Sequence, residues 1–176
     1  AGDGRIPVIA VTGTNGKTTT TLMIAHAATL AGRRTGYAST HGVHLGGEMV
    51  AQGDCTGYWS HRAVLSSPGV DMAVLETARG GILKRGLAFD QCAVGVVLNV
   101  SDVHLGMEGV ASVDDLARVK EIVATSAAQA AVLNADDPHC RAMAARLGGG
   151  AELIWFSMDA DNDTVRAHLA SGGRAL

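Results

Sequence analysis

The sequence predicts an α/β fold with a doubly wound, mostly parallel sheet and flanking helices. Six apolar runs, at 8–12, 36–40, 72–76, 94–100, 131–134 and 153–157, each end on a polar or small residue. Several are apolar throughout instead of alternating, the pattern of parallel strands buried on both faces. Helical patterns separate most of them, at 17–31, 59–66, 113–128 and 138–147. Strands that alternate with helices imply βαβ units.

Local signals support each element in turn. The first strand runs into Gly13-Thr14-Asn15-Gly16-Lys17-Thr18-Thr19, a glycine-bearing turn that opens a helix. Residues 43–52 break the alternation, and Gly46-Gly47 within them predicts a small hairpin insertion. Ser112 with Asp115 three residues on predicts a capping box for the helix at 113. Gly148-Gly149-Gly150 reads as a short loop, and no internal repeat is visible.

Composition narrows the class. A chain of 176 residues fits one domain with a sizeable core, and 47% hydrophobic content argues against disorder. A net charge of −3, with Lys and Arg scattered, points away from nucleic acid and membrane surfaces. No apolar stretch reaches the roughly 18 residues that a membrane span needs. Three dispersed cysteines, Cys55, Cys92 and Cys140, suit reduced thiols and a cytoplasmic setting. Cys92 leads into an apolar strand and reads as a buried small hydrophobe. The ends at Ala1 and Leu176 read as cuts from something longer.

In open α/β sheets, ligands bind outside the carboxyl ends of the strands. The turn at Gly13 to Thr19 lies there, and its amides can cradle phosphate oxygens. Lys17 adds a point charge for the outer phosphates, and the Thr18 hydroxyl can reach magnesium. The strict phosphate-loop pattern wants glycine at position 11, where Val11 stands. Glu76 ends its apolar strand beside this loop and offers a hard oxygen for magnesium; capping a turn or pairing with Arg79 is the alternative. Ser39, Thr40 and His41 end the second strand, and His104 follows the fourth. His26, His61, His139 and His168 fall on helical segments and are expected to face solvent, with His44 in the hairpin. Lys120 is the anomaly, a cation in the middle of the arc formed by Val113, Leu116, Ala117, Val123, Ala124 and Ala127. A buried ammonium must snorkel, pair, lose its charge or be chemically modified.

Thr12 to Thr19, Asn99-Val100-Ser101 leading to His104, and Leu133-Asn134-Ala135-Asp136-Asp137 together resemble the Mur ligase family. Leu75-Glu76-Thr77-Ala78-Arg79-Gly80-Gly81-Ile82-Leu83 is more specific, and is most similar to the Mur-ligase-like part of the cyanophycin synthetases. The likeness spans residues 5–157. It departs at Val103, where the family usually has Asp, and at Ser39-Thr40-His41-Gly42, where cyanophycin synthetases tend to have Thr-Thr-Asp-Gly.

The resemblance implies a P-loop NTPase-like central domain over residues 1–160, with 161–176 as the start of a following segment. ATP-grasp and C-terminal ligase domains have no counterpart in these residues. It implies ATP and Mg2+ as cofactors. Lys17 and Thr18 would bind phosphate and the first magnesium, Glu76 magnesium, His104 a second magnesium, and Asn134 would lie near the adenine. Lys120 matches a lysine that many Mur ligases carry as a carbamate. The implied activity is amide-bond formation through an acyl phosphate, joining arginine to the β-carboxyl of aspartate on a poly-aspartate chain. A homo-oligomeric full-length enzyme is also implied. The alternatives are a Mur-type ligase for UDP-muramoyl peptides or folates, and a nucleotide-binding switch that makes no bond.

Overall fold

The computed structural model describes residues 5–102 and 111–176. In chain order the elements are β1 (Val8–Thr12), α1 (Lys17–Leu30), β2 (Thr35–Ser39), β3 (Gly42–Leu45), β4 (Glu48–Gln52), α2 (Tyr58–Leu65) and β5 (Met72–Glu76). They continue as α3 (Arg79–Arg85), β6 (Cys92–Val97), α4 (Val113–Thr125), β7 (Ala127–Asn134), α5 (Pro138–Ala144), β8 (Glu152–Phe156), α6 (Asp163–Ala170) and β9 (Arg174–Ala175). The described strands form one sheet, in the order β4-β3-β2-β5-β1-β6-β7-β8-β9. Among the described strands β3 alone runs against the common direction, pairing antiparallel with β2 and β4. The hairpin expected at 43–52 is thus real, and it widens the sheet at one edge.

The sheet register positions the site. β1 lies between β5 and β6, with Val11 opposite Glu76 on one side and Thr12 opposite Val97 on the other. The chain passes from β1 to one half of the sheet and later, through β6, to the other half. The loop after β1 therefore opens at the point where the winding reverses, the usual ligand crevice of such sheets.

Burial follows the strand pleat. Ala73 and Leu75 of β5 join Val64 of α2 and Ile82 of α3 in one core cluster. Val74 and Glu76 point to the opposite face, where Glu76 meets α1. A second cluster unites Val97, Ala131 and Leu133 with Leu116 and Ala117 of α4 and with Cys140 and Met143 of α5. Cys55, Cys92 and Cys140 are all buried free thiols.

α4 starts as its sequence signals. Ser112 Oγ accepts from the Asp115 amide at 3.1 Å, and Asp115 returns the bond to the Ser112 amide at 3.1 Å. It ends earlier than expected, at Thr125, because residues from Ala127 onward pair with β6. Alanine favours helix intrinsically, and ladder pairing overrides that preference here. α3 was not expected at all. Its Gly80 and Gly81 are poor helix formers, but a Cβ at Gly81 would lie 2.9 Å from Thr56 O and 3.0 Å from Gly57 Cα. Glycine lets the helix settle onto that backbone. Residues 161–176, expected as the start of a following segment, form α6 and β9, and β9 pairs in parallel with β8.

Gly95 shows how closely α4 lies on the sheet, since a Cβ there would lie 2.3 Å from Val123 O. Gly95→Ala is therefore expected to destabilise the fold by about 1–3 kcal/mol, the usual range for overpacking. A urea unfolding midpoint equal to that of the parent would contradict this.

Candidate nucleotide site

The phosphate loop is shaped by glycine and by a neighbouring strand end. Gly16 adopts φ +83 and stands immediately before α1, where a side chain would be strained. A Cβ on Gly13 would lie 2.9 Å from Leu98 Cβ, so only glycine lets the loop pass the end of β6. The helical ladder begins with the Thr20 amide donating to Gly16 O at 3.0 Å. Amides ahead of it have no intrahelical partner and face the helix N-terminus, where the helix dipole also favours an anion.

Asn99, after β6, clamps this loop. Its Oδ1 accepts from the amides of Thr14 at 3.0 Å and Asn15 at 2.9 Å, and its Nδ2 donates to Asn15 O at 3.2 Å. The Ser101 amide adds a bond to Thr14 Oγ1 at 3.0 Å. Lys17 Nζ folds back to donate to Thr14 O at 3.0 Å.

Glu76 is 1% exposed and turns its carboxylate toward α1. Oε1 accepts from Thr18 Oγ1 and Thr40 Oγ1, both at 3.0 Å, and Oε2 accepts from the Thr40 amide at 2.9 Å. Among the described residues no cation pairs with it. A buried carboxylate ringed by neutral donors is costly unless a cation arrives. One carboxylate and two hydroxyls form a hard-oxygen donor set. Magnesium suits it, because that ion usually keeps waters and phosphate oxygens as further ligands. No cluster of three or more His, Cys, Asp or Glu side chains able to hold a metal exists among the described residues.

His61 supports Glu76 from the core side. It was expected to face solvent, but it is 2% exposed, and its Nε2 lies 3.0 Å from Glu76 O. Burial pushes the imidazole down to about 4, so it is neutral at pH 7 and Nε2–H donates to that carbonyl. Helical periodicity placed the residue correctly on α2; only packing decides which face of a short helix turns inward. Of the other helical histidines, His26 is exposed, while His139 and His168 are half-buried. His139 lies 3.4 Å from Asp114, and His168 Nε2 lies 3.1 Å from Leu153 O. His44 stacks on Tyr37, and His41 is exposed.

Lys120 lies where the apolar arc put it, 3% exposed on the inner face of α4. No hydrogen bond or ion pair to another described residue satisfies it. Burial, then the positive charges of Lys17 and Arg79, push its ammonium down to about 7. Asn134 ends β7. Its Nδ2 donates to Leu98 O at 2.9 Å and its Oδ1 accepts from the Asp136 amide at 2.8 Å, so it buttresses the strand ends beside the loop. His104 and Val103 lie outside the described residues.

Lys17, Thr18, Glu76 and Asn134 thus lie at or just beyond the carboxyl ends of neighbouring strands, while Lys120 lies on the inner face of α4. Sequence reasoning underweighted Thr40 and Asn99. Thr40 and Asn99 follow strand ends, which was the available signal, but their hydrogen bonds to Glu76 and to the loop, not spacing, reveal their role.

Strand order and crossovers define a doubly wound α/β domain, and the chain belongs to the Mur ligase family: residues 11–174 match the Mur ligase middle domain. It is 49% identical over 97% of its length to cyanophycin synthetase of Crocosphaera subtropica and 50% identical over 97% to that of Geminocystis herdmanii. It spans 20% of the length of each of these relatives. It is also 30% identical, over 97% of its length and 32% of the relative, to UDP-N-acetylmuramoylalanine–D-glutamate ligase of Brucella abortus. Among solved structures, a UDP-N-acetylmuramoyl-L-alanyl-D-glutamate–2,6-diaminopimelate ligase aligns with TM-score 0.73 at 24% identity, over 90% of this chain and 33% of that one. A bifunctional folylpolyglutamate synthase/dihydrofolate synthase, solved with Mn, AMPPNP and L-glutamate, aligns with TM-score 0.60 at 22% identity, over 88% and 44% of the two chains. These structures support the fold. No helix among the described residues is long and apolar enough to cross a membrane.

Proposed function

We propose that this chain is the ATP-binding domain of a carbon–nitrogen ligase of the cyanophycin synthetase type, which joins arginine to the β-carboxyl of aspartate on a poly-aspartate acceptor. The observation that carries the reading is the buried Glu76 carboxylate, bonded to Thr18 beside the phosphate loop. The identity of about half to cyanophycin synthetases supports the narrower substrate class.

The chemistry starts from an unreactive carboxylate. An acceptor carboxylate oxygen attacks the γ-phosphorus of ATP, the bond to the β-phosphate oxygen breaks, and ADP leaves. The amine nitrogen then attacks the acyl carbon, phosphate departs, and the nitrogen loses a proton to give the amide. The substrate itself supplies the nucleophile. The chain's own residues bind and orient the triphosphate: loop amides and Lys17 hold its oxygens and offset charge on the moving phosphoryl group. Thr18 and Glu76, with His104 by resemblance, would hold magnesium, which when bound supplies further charge compensation. Asn134 would border the adenine.

Lys120 fits a carbamate in this scheme. A neutral amine attacks CO2, forms an N–C bond and releases a proton, which turns the misplaced cation into an anionic oxygen ligand. Lys120→Ala is expected to lose most ligase activity and to regain part of it with acetate or another short carboxylate. No regain in a correctly folded variant would count against the carbamate.

The decisive experiment uses the full-length protein with ATP, magnesium, a poly-aspartate primer and arginine, with product read by mass spectrometry. Amide-linked arginine supports the reading. Joining of amino acids to UDP-muramoyl peptides or folates instead would move it to another Mur-type substrate. Nucleotide turnover with no amide product would leave a switch module.

A further inference from the structure

Asp137 serves two separate parts of the fold. It precedes α5 and is 9% exposed. Oδ1 accepts from the amides of His139 at 2.8 Å and Cys140 at 3.1 Å, an ordinary helix cap. Oδ2 reaches away from α5 and accepts from the Val100 amide at 2.6 Å, in the segment that follows β6. The residues on either side of Val100 hold the phosphate loop: Asn99 clamps Thr14 and Asn15, and Ser101 bonds Thr14 Oγ1. Leu98, one residue earlier, packs against Gly13 and Gly16 and is tied through its carbonyl to Asn134.

Capping α5 needs one oxygen. The second secures the backbone at Val100, outside α5, whose neighbours on both sides touch the loop. Such a bond to a carboxylate is stronger than a neutral one, and the Val100 amide it satisfies is buried. We infer that Asp137 is a positioning residue for the phosphate loop: it straps residues 99–101 so that the loop amides are fixed before nucleotide arrives. The inference rests on the reading of that loop as the nucleotide site.

Asp137→Ser separates the two roles. Serine still caps a helix, but its hydroxyl is too short to cap α5 and reach Val100 together. Asp137→Asn keeps the shape and turns an amide NH2 toward one set of donors. Two quantities are read in each variant: amide hydrogen exchange, by mass spectrometry, in peptides covering 13–18 and 138–144, and the Kd for MgATP. With serine, exchange in α5 is expected to stay close to the parent's, while loop exchange rises and MgATP binding weakens, each roughly tenfold, the scale of one lost charge-assisted bond. Asparagine is expected to loosen the loop as well. Parent-like loop exchange in both variants overturns the strap. A parent protein that binds no MgATP overturns the nucleotide reading instead, and loop exchange still decides the strap.

Discussion

Lys17→Ala is expected to abolish ATP-dependent amide formation while the fold survives. The half-buried side chain reaches back only to Thr14 O at 3.0 Å, a bond that loop amides and solvent can replace. Its loss should therefore move the melting temperature little. Catalysis is different. Negative charge spreads over the γ-phosphoryl oxygens as the acyl phosphate forms, and a preorganised ammonium is worth most at that moment. Removing one such donor costs on the order of 10²–10³ in rate, and weaker ground-state binding adds to that. The measurement is steady-state amide formation by the full-length protein together with calorimetric MgATP binding to parent and variant. Near-normal turnover in Lys17→Ala would overturn the assignment of the loop.

The parts of this molecule that sequence alone revealed are those fixed by local pattern. Buried parallel strands make unbroken apolar runs, so the strand ends and the residues on them, Glu76 and Asn134, could be placed by counting. Lys120 stood out because a helix has a definite period, and one cation at an apolar position is conspicuous. Elements dictated by contact with distant chain were not legible. α3 contains two adjacent glycines and looks like a loop until Thr56 and Gly57 are seen beneath it. The start of β7 looks like the end of a helix until its pairing with β6 is known. His61 and Asp137 act through hydrogen bonds across 15 and 37 residues of sequence, and spacing within an element cannot show these.

Glu76→Gln is expected to separate stability from function in opposite directions. This buried carboxylate is held by two threonine hydroxyls and one amide, with no cationic partner among the described residues. Burying a charge against neutral donors alone is unfavourable, whereas an isosteric amide removes that cost and keeps an acceptor oxygen. The variant should therefore melt no lower than the parent when magnesium is absent. With metal and nucleotide the order reverses. A ligand that binds only the folded state stabilises it by about 2.7 kcal/mol at a hundred times its Kd, and a parent that uses Glu76 as a metal ligand gains that increment. Glutamine offers a weak neutral oxygen in place of an anionic one, so the increment should shrink or vanish, and amide formation should fall by about 10² or more, the loss typical of one missing electrostatic stabiliser. Thermal melts with and without MgATP, for both proteins, read this directly. If Glu76→Gln is markedly less stable without metal yet keeps the full MgATP-dependent shift, the carboxylate is a structural hydrogen-bond acceptor and not a metal ligand. A parent-like melt without metal, joined to a lost shift, identifies the buried charge as a site kept ready for a cation.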